Sequence, residues 1–222
     1  MVRATGYRYE ATSVAGFVQQ LAVSYLKNCY WFYVMGSIRP GKDPRPIDEE
    51  IIRKYKIALS KAGRHRRKRT GTANLQYLRF ESTYVIIATP GEHEFLRAEK
   101  DAIRDAQEVP IKFRGYSLSY RGGHAHVRIE RERFKELKAY FEEVSVKRSV
   151  SALAAELWSL PWQPYAPVRG QYLGLLRGIN RHRKAAGLEP VPETAVRMRR
   201  QICRPFEPII PAPPPQQDAI PP

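Results

Sequence analysis

The sequence predicts an α+β fold: a largely antiparallel sheet of about five strands with helices on one face, then a helical C-terminal region and a Pro-rich tail. Three observations carry this. Up to residue 147 the hydrophobic patterning runs helix, strand, helix, strand, strand, helix, strand, strand, helix. After it the apolar spacing stays helical through residue 204. Residues 205–222, PFEPIIPAPPPQQDAIPP, hold eight prolines, which neither a helix nor an inner strand tolerates. The expected division is therefore an α+β domain over 1–147, a helical basic region over 148–204 and a disordered, polyproline-like tail over 205–222.

The first helix lies in SVAGFVQQLAVSYLKN, where Ser13 is placed to cap and Val14, Phe17, Leu21 and Tyr25 recur at helical spacing. CYWFYVMGSI is aromatic and β-branched and ends at Gly36, which marks a central strand. In residues 46–63 three acids, Asp48, Glu49 and Glu50, open a segment striped by Ile51, Ile52, Tyr55 and Leu59; the spacing predicts a second helix. GRHRRKRT, residues 63–70, lacks any apolar period and reads as a basic loop. LQYLRF and TYVIIAT form a hairpin whose second arm is buried on both faces. Residues 92–109 have loose helical spacing and many charges, giving an exposed helix or helical turn. IKFRGYSLSYRGGHAHVRI is a second hairpin closed by Gly122 and Gly123, and ERERFKELKAYFEEV is a helix with Phe134, Leu137, Phe141 and Val144 on one face. SVSALAAELWSL and VRGQYLGLLRGINRHRKAAG supply two further helices around the break PWQPYAP.

A chain of 222 residues buries a real core without staples, and Cys29 and Cys203 lack disulfide-framework or zinc-ligand spacing, which suits a reducing compartment. The apolar stretch 14–36 is interrupted by Gln19, Gln20, Lys27 and Asn28, so a soluble, unprocessed protein is expected, cytoplasmic or nucleoid-associated, with no membrane partner. The formal net charge is +16, from 38 Lys and Arg against 22 Asp and Glu, on a chain apolar enough to fold. Such a surplus calls for a polyanion, and nucleic acid is the usual one. Patterns for serine hydrolases, P-loop enzymes, HExxH metalloproteases and dinucleotide-binding folds are absent from the sequence.

Around the Gly122-Gly123 turn the alternation puts Ala125 and Val127 toward the core with Leu118 and Tyr120. His124, His126 and Arg128 face the other way with Ser117, Ser119 and Arg121. Ser119 should oppose His126, and Ser117 should oppose Arg128. Two imidazoles at i and i+2 on a strand converge on one cation, but two ligands alone do not hold a metal. Arginines beside them attract a phosphate instead, and a merely solvated face is the third reading.

A histidine, an intervening residue and a histidine on a strand of an antiparallel sheet, as in HAHVRI, resembles the HUH nucleases, which include rolling-circle replication initiators, relaxases and single-tyrosine transposases. The resemblance implies His124 and His126 as ligands of Mg²⁺ or Mn²⁺, with Glu81 or Glu130 available as a third. It further implies Tyr140 as the nucleophile that links covalently to single-stranded DNA. The function it points to is a nicking or strand-transfer protein of a replication or mobile-element system. The alternative from the same residues is a non-catalytic DNA- or RNA-binding protein or a ribonucleoprotein component.

Phosphate contacts are expected from three further places. Arg64, Arg66, Arg67, Lys68 and Arg69 crowd the basic segment with no acidic neighbour. Arg121 and Arg128 flank the histidines. Arg177, Arg181 and Lys184 share one side of the last long helix, with Arg197, Arg199, Arg200 and Arg204 extending the surface. Single-stranded DNA is the favoured partner, with RNA as the alternative.

Overall fold

A computed structural model describes residues 6–207. Its elements begin with α1 (Val14–Gln19), a π-helical turn (Gln20–Tyr25), a 3-10 turn (Leu26–Asn28), β1 (Phe32–Ser37), α2 (Pro44–Lys54), α3 (Lys61–Arg69), β2 (Leu75–Phe80) and β3 (Thr83–Ala88). They continue with α4 (Glu94–Ala98), β4 (Arg104–Asp105), β5 (Ile111–Phe113), β6 (Tyr116–Arg121), β7 (His124–Ile129), α5 (Arg131–Val144), α6 (Val150–Trp158), α7 (Ala166–Ala185) and a 3-10 turn (Glu193–Ala195).

The α+β class holds, but the strands form two antiparallel sheets rather than one. β2-β3-β1-β4 make the first and β5-β6-β7 the second. Within the second sheet a tight turn at Arg114 and Gly115, both at positive φ, adds β5 ahead of the expected hairpin. Backbone bonds at Ala106 join the sheets: its N–H donates to Trp31 and its carbonyl accepts from Tyr120.

Helices cover both faces of the first sheet, not one. Tyr33, Leu78, Val85 and Ile87 pack with Phe17 and Leu21, whereas Leu75, Tyr77, Ile86 and Ala88 pack with Tyr55, Ile57 and Phe95. Gly36 is required by close approach, because a Cβ there would meet the Tyr84 ring at 2.3 Å. The second sheet shares the first of these clusters with Leu153, Leu157, Val168, Tyr172 and Leu175, so the helices after residue 147 wall the same core. Gln171 of α7 fixes that packing by bonding both the N–H and the carbonyl of Ile129, satisfying β7 backbone as a neighbouring strand would.

Two helix expectations change. The segment 46–63 breaks into α2 and α3, because Lys56 takes φ +48 and Ser60 caps a new helix by accepting from Gly63. Asp48 does not solvate an N-terminus but is fully buried, 2.9 Å from Arg79 and 2.5 Å from the Tyr77 hydroxyl. Within 92–109 only α4 forms; the chain then pairs with β1 as β4. At the other end, Thr12 donates to the carbonyls of Pro205 and Glu207, holding the start of the expected Pro-rich tail against the N-terminal segment. The remainder of that tail lies outside the described residues. Among the described residues no helix is long and apolar enough to cross a membrane.

Candidate nucleic-acid interface

The segment expected as a basic loop is a helix. α3 forms without an apolar stripe because Arg64 and Arg67, both half-buried, act as its inner side. Arg64 donates to the Leu59 carbonyl at 2.6 Å and Arg67 to that of Lys56 at 3.2 Å. Asn74 donates to the Arg64 carbonyl, pinning the helix to the start of β2. The cations of its last turn, Arg66 to Arg69, also complement the helix dipole. On the other side Lys61, His65, Arg66, Lys68 and Arg69 are exposed, and none of them has an ion-pair partner among the described residues. Like charges three and four apart on a helix repel by roughly 0.2–0.5 kcal/mol a pair, so this face gains from any anion laid against it.

The β6–β7 hairpin has the expected register: Ser119 opposes His126, Ser117 opposes Arg128 and Arg121 opposes His124. Gly122 and Gly123, at φ +56 and +80, make the turn. The divalent ion, however, is withdrawn. No group of three or more His, Cys, Asp or Glu able to hold a metal occurs among the described residues. Glu81 is paired with Arg114 and Glu130 with Lys112, so neither proposed third ligand is free to complete the pair. Mg²⁺ and Mn²⁺ want several oxygen ligands, which His124 and His126 do not supply. The metal-binding, HUH-type reading of these histidines is corrected accordingly.

His124 instead lines a groove of about 380 Å³ that the sequence did not announce. Its wall comes from four places: Ala22, Val23 and Lys27 of the first helical segment, Gly123 to Ala125 of the hairpin, Pro164, Tyr165, Ala166 and Arg169 around the start of α7, and Arg200. The π-helical winding of Gln20–Tyr25 shapes the first wall. Lys27, His124, Arg169 and Arg200 contribute basic groups, and among the described residues no acid lines the groove. The Arg200 guanidinium lies 4.7 Å from the centre of the Tyr165 ring, a cation-π contact that holds its charge at the rim. Burial pushes the Tyr165 hydroxyl up, so it stays a neutral donor.

The remaining candidates separate. Tyr140 is not part of this groove: its hydroxyl donates to Glu156 of α6, its ring sits under Arg148, and the bond to Glu156 raises its pKa. Arg177 and Lys184 are exposed on α7, while Arg181 leans toward Glu142 at 3.8 Å. Arg121 and Arg128 are exposed at the hairpin. Other arginines are internal. Arg183 donates to the carbonyls of Ser145, Arg148 and Glu189, and Arg197 to those of Leu160 and Trp162. Sequence reasoning missed Lys27 and Arg169 because they are single cations in apolar or mixed contexts. What surrounds these sites carries no outside label, for no protein-family model, no curated protein and no solved structure matches the chain.

Proposed function

We propose that the chain is a nucleic-acid-binding protein, DNA or RNA, of the cytoplasm or nucleoid, whose affinity comes from phosphate contacts rather than from covalent chemistry. One observation carries this reading: the outer side of α3, with Lys61, Arg66, Lys68 and Arg69 exposed and, among the described residues, free of acidic partners. A face of that kind neutralises phosphates and releases condensed counterions, the main source of sequence-independent affinity. Arg121, Arg128, Arg177 and Lys184 are the supporting contacts. Tyr140, already bonded to Glu156, is assigned to the helix corner and not to strand transfer.

The test is the salt dependence of binding. Lys61→Gln, Arg66→Gln, Lys68→Gln and Arg69→Gln together leave the bracing arginines Arg64 and Arg67 in place and keep good helix formers on the surface. The slope of log K against log salt concentration should become shallower by about 3 if all four residues touch phosphates. An unchanged slope overturns the reading. So does a denaturation-resistant adduct on single-stranded DNA that disappears in Tyr140→Phe.

A further inference from the structure

The groove between the π-helical turn, the β6–β7 turn and the start of α7 is chemically unlike α3. α3 offers an open cationic face, whereas the groove is concave and couples cations to an apolar wall. Ala22, Val23, Ala125 and Pro164 line it alongside Lys27, His124, Arg169 and Arg200. Its volume of about 380 Å³ lies at the small end of ligand pockets, room for one nucleotide-sized group and not for a duplex. Low-dielectric walls strengthen the field of the cations on whatever enters.

That concentration of charge selects among phosphates. A phosphodiester within a strand carries one negative charge; a phosphomonoester carries about −1.5 to −2 at pH 7 and three strong acceptor oxygens. Three groups at the groove are permanent cations at pH 7: Lys27, Arg169 and Arg200. Each lacks an acidic partner among the described residues, since Arg169 reaches only the Pro164 carbonyl and Arg200 only the amide oxygen of Gln19, both at 3.5 Å. The backbone end of α7, which no side chain caps, adds partial positive charge on the same wall. Tyr165 presents a half-buried ring there, against which the sugar or base of the same nucleotide packs.

We infer that this groove is a phosphomonoester site, which takes the terminal phosphate of a nucleic-acid strand while α3 holds the internal phosphates. The inference rests on the nucleic-acid-binding reading for its partner; a free nucleoside monophosphate presents the same chemistry from another source. Arg169 and Arg200 grip the phosphate, Lys27 neutralises it from the facing wall, and His124 closes the hairpin side.

The experiment uses one internally labelled short oligonucleotide in three forms, unphosphorylated, 5′-phosphorylated and 3′-phosphorylated, with adenosine monophosphate titrated separately by calorimetry. Wild type should bind one phosphorylated form about tenfold more tightly than the unphosphorylated one. Arg169→Gln with Arg200→Gln should erase that preference while retaining affinity for the unphosphorylated strand. Lys27→Gln, on an exposed residue, gives the same direction in a variant that does not disturb Tyr165. The four-residue α3 variant should weaken all three forms and keep their ratio. Saturable binding of the monophosphate alone, lost in the groove variants and with no preference among oligonucleotides, assigns the site to a free nucleotide and overturns the strand-end assignment. Equal binding of all three strands with no monophosphate binding overturns the site altogether and leaves the α3 reading standing. Failure to bind any strand overturns the α3 reading.

Discussion

The arginines inside the protein and those on α3 carry the same charge and do opposite things. Arg79 is 2 % exposed and surrounded by acceptors: Asp48 at 2.9 Å, Glu10 at 3.1 Å and the Glu81 carbonyl at 2.8 Å. Arg183 is 4 % exposed and is spent on the carbonyls that end α5 and follow α7. On α3 the exposed cations have no such acceptors among the described residues. Of the formal +16, therefore, only part is offered to a partner; the rest is structural. A count of Lys and Arg does not distinguish the two, whereas the location of acceptors does.

The sharpest way to break the contrast is to remove Arg79. Arg79→Met strands the Asp48 carboxylate in the core, so unfolding in urea should show a loss of about 3–5 kcal/mol, with the salt slope of nucleic-acid binding in the folded protein unchanged. A loss under about 1 kcal/mol would mean that water reaches Asp48 and that the pair is not internal. Arg183→Met comes next. It leaves three carbonyls without their charged donor, and urea titration should read a loss of about 2–3 kcal/mol, again without effect on the salt slope.

The smallest effect joins the two populations. His93 caps α4 through Nδ1, which accepts from the Phe95 N–H at 3.1 Å, and so it must be unprotonated to serve. Burial, and then the Arg67 cation, hold its pKa below the ordinary 6.5. The unfolded chain thus binds a proton more readily than the folded one. The stability this group contributes is complete above pH 6.5 and is lost as the pH falls below it toward the folded value. His93→Asn keeps a capping acceptor and removes the titration, so its stability curve should be flatter on the acid side of 6.5 than the wild type's. Coincident curves would show that His93 binds its proton equally in the folded and unfolded chain.

Local chemistry made some of this legible from sequence. The β6–β7 register follows from alternation plus two glycines, and Gly122 and Gly123 take the positive φ the turn needs. β1, β2 and β3 were readable from their aromatic and β-branched runs. α3 was not, because its inner face is made of Arg64 and Arg67 bonded to carbonyls, and an apolar-period search is blind to that. The Arg114-Gly115 turn, which adds β5 to the second sheet, was present as FRGY and lost beside the stronger glycine pair. Of the groove's basic residues only His124 and Arg200 stand in stretches whose sequence marks them out. Lys27 and Arg169 join them through tertiary packing of residues more than a hundred positions apart.

The π-helical turn makes chain length, as well as side-chain identity, a determinant of the groove. Winding Gln20–Tyr25 as i to i+5 accommodates one residue more than an α-helix would over the same rise. Deleting a single residue there would let the segment rewind as ordinary α-helix with its hydrogen bonding intact. The residues on either side of it, Phe17 before and Lys27 after, would keep their relative orientation, because the wider turn is what absorbs the extra residue. Ala22 and Val23, which lie within the turn, are the wall residues such a deletion would reposition, while every charge in the protein remained.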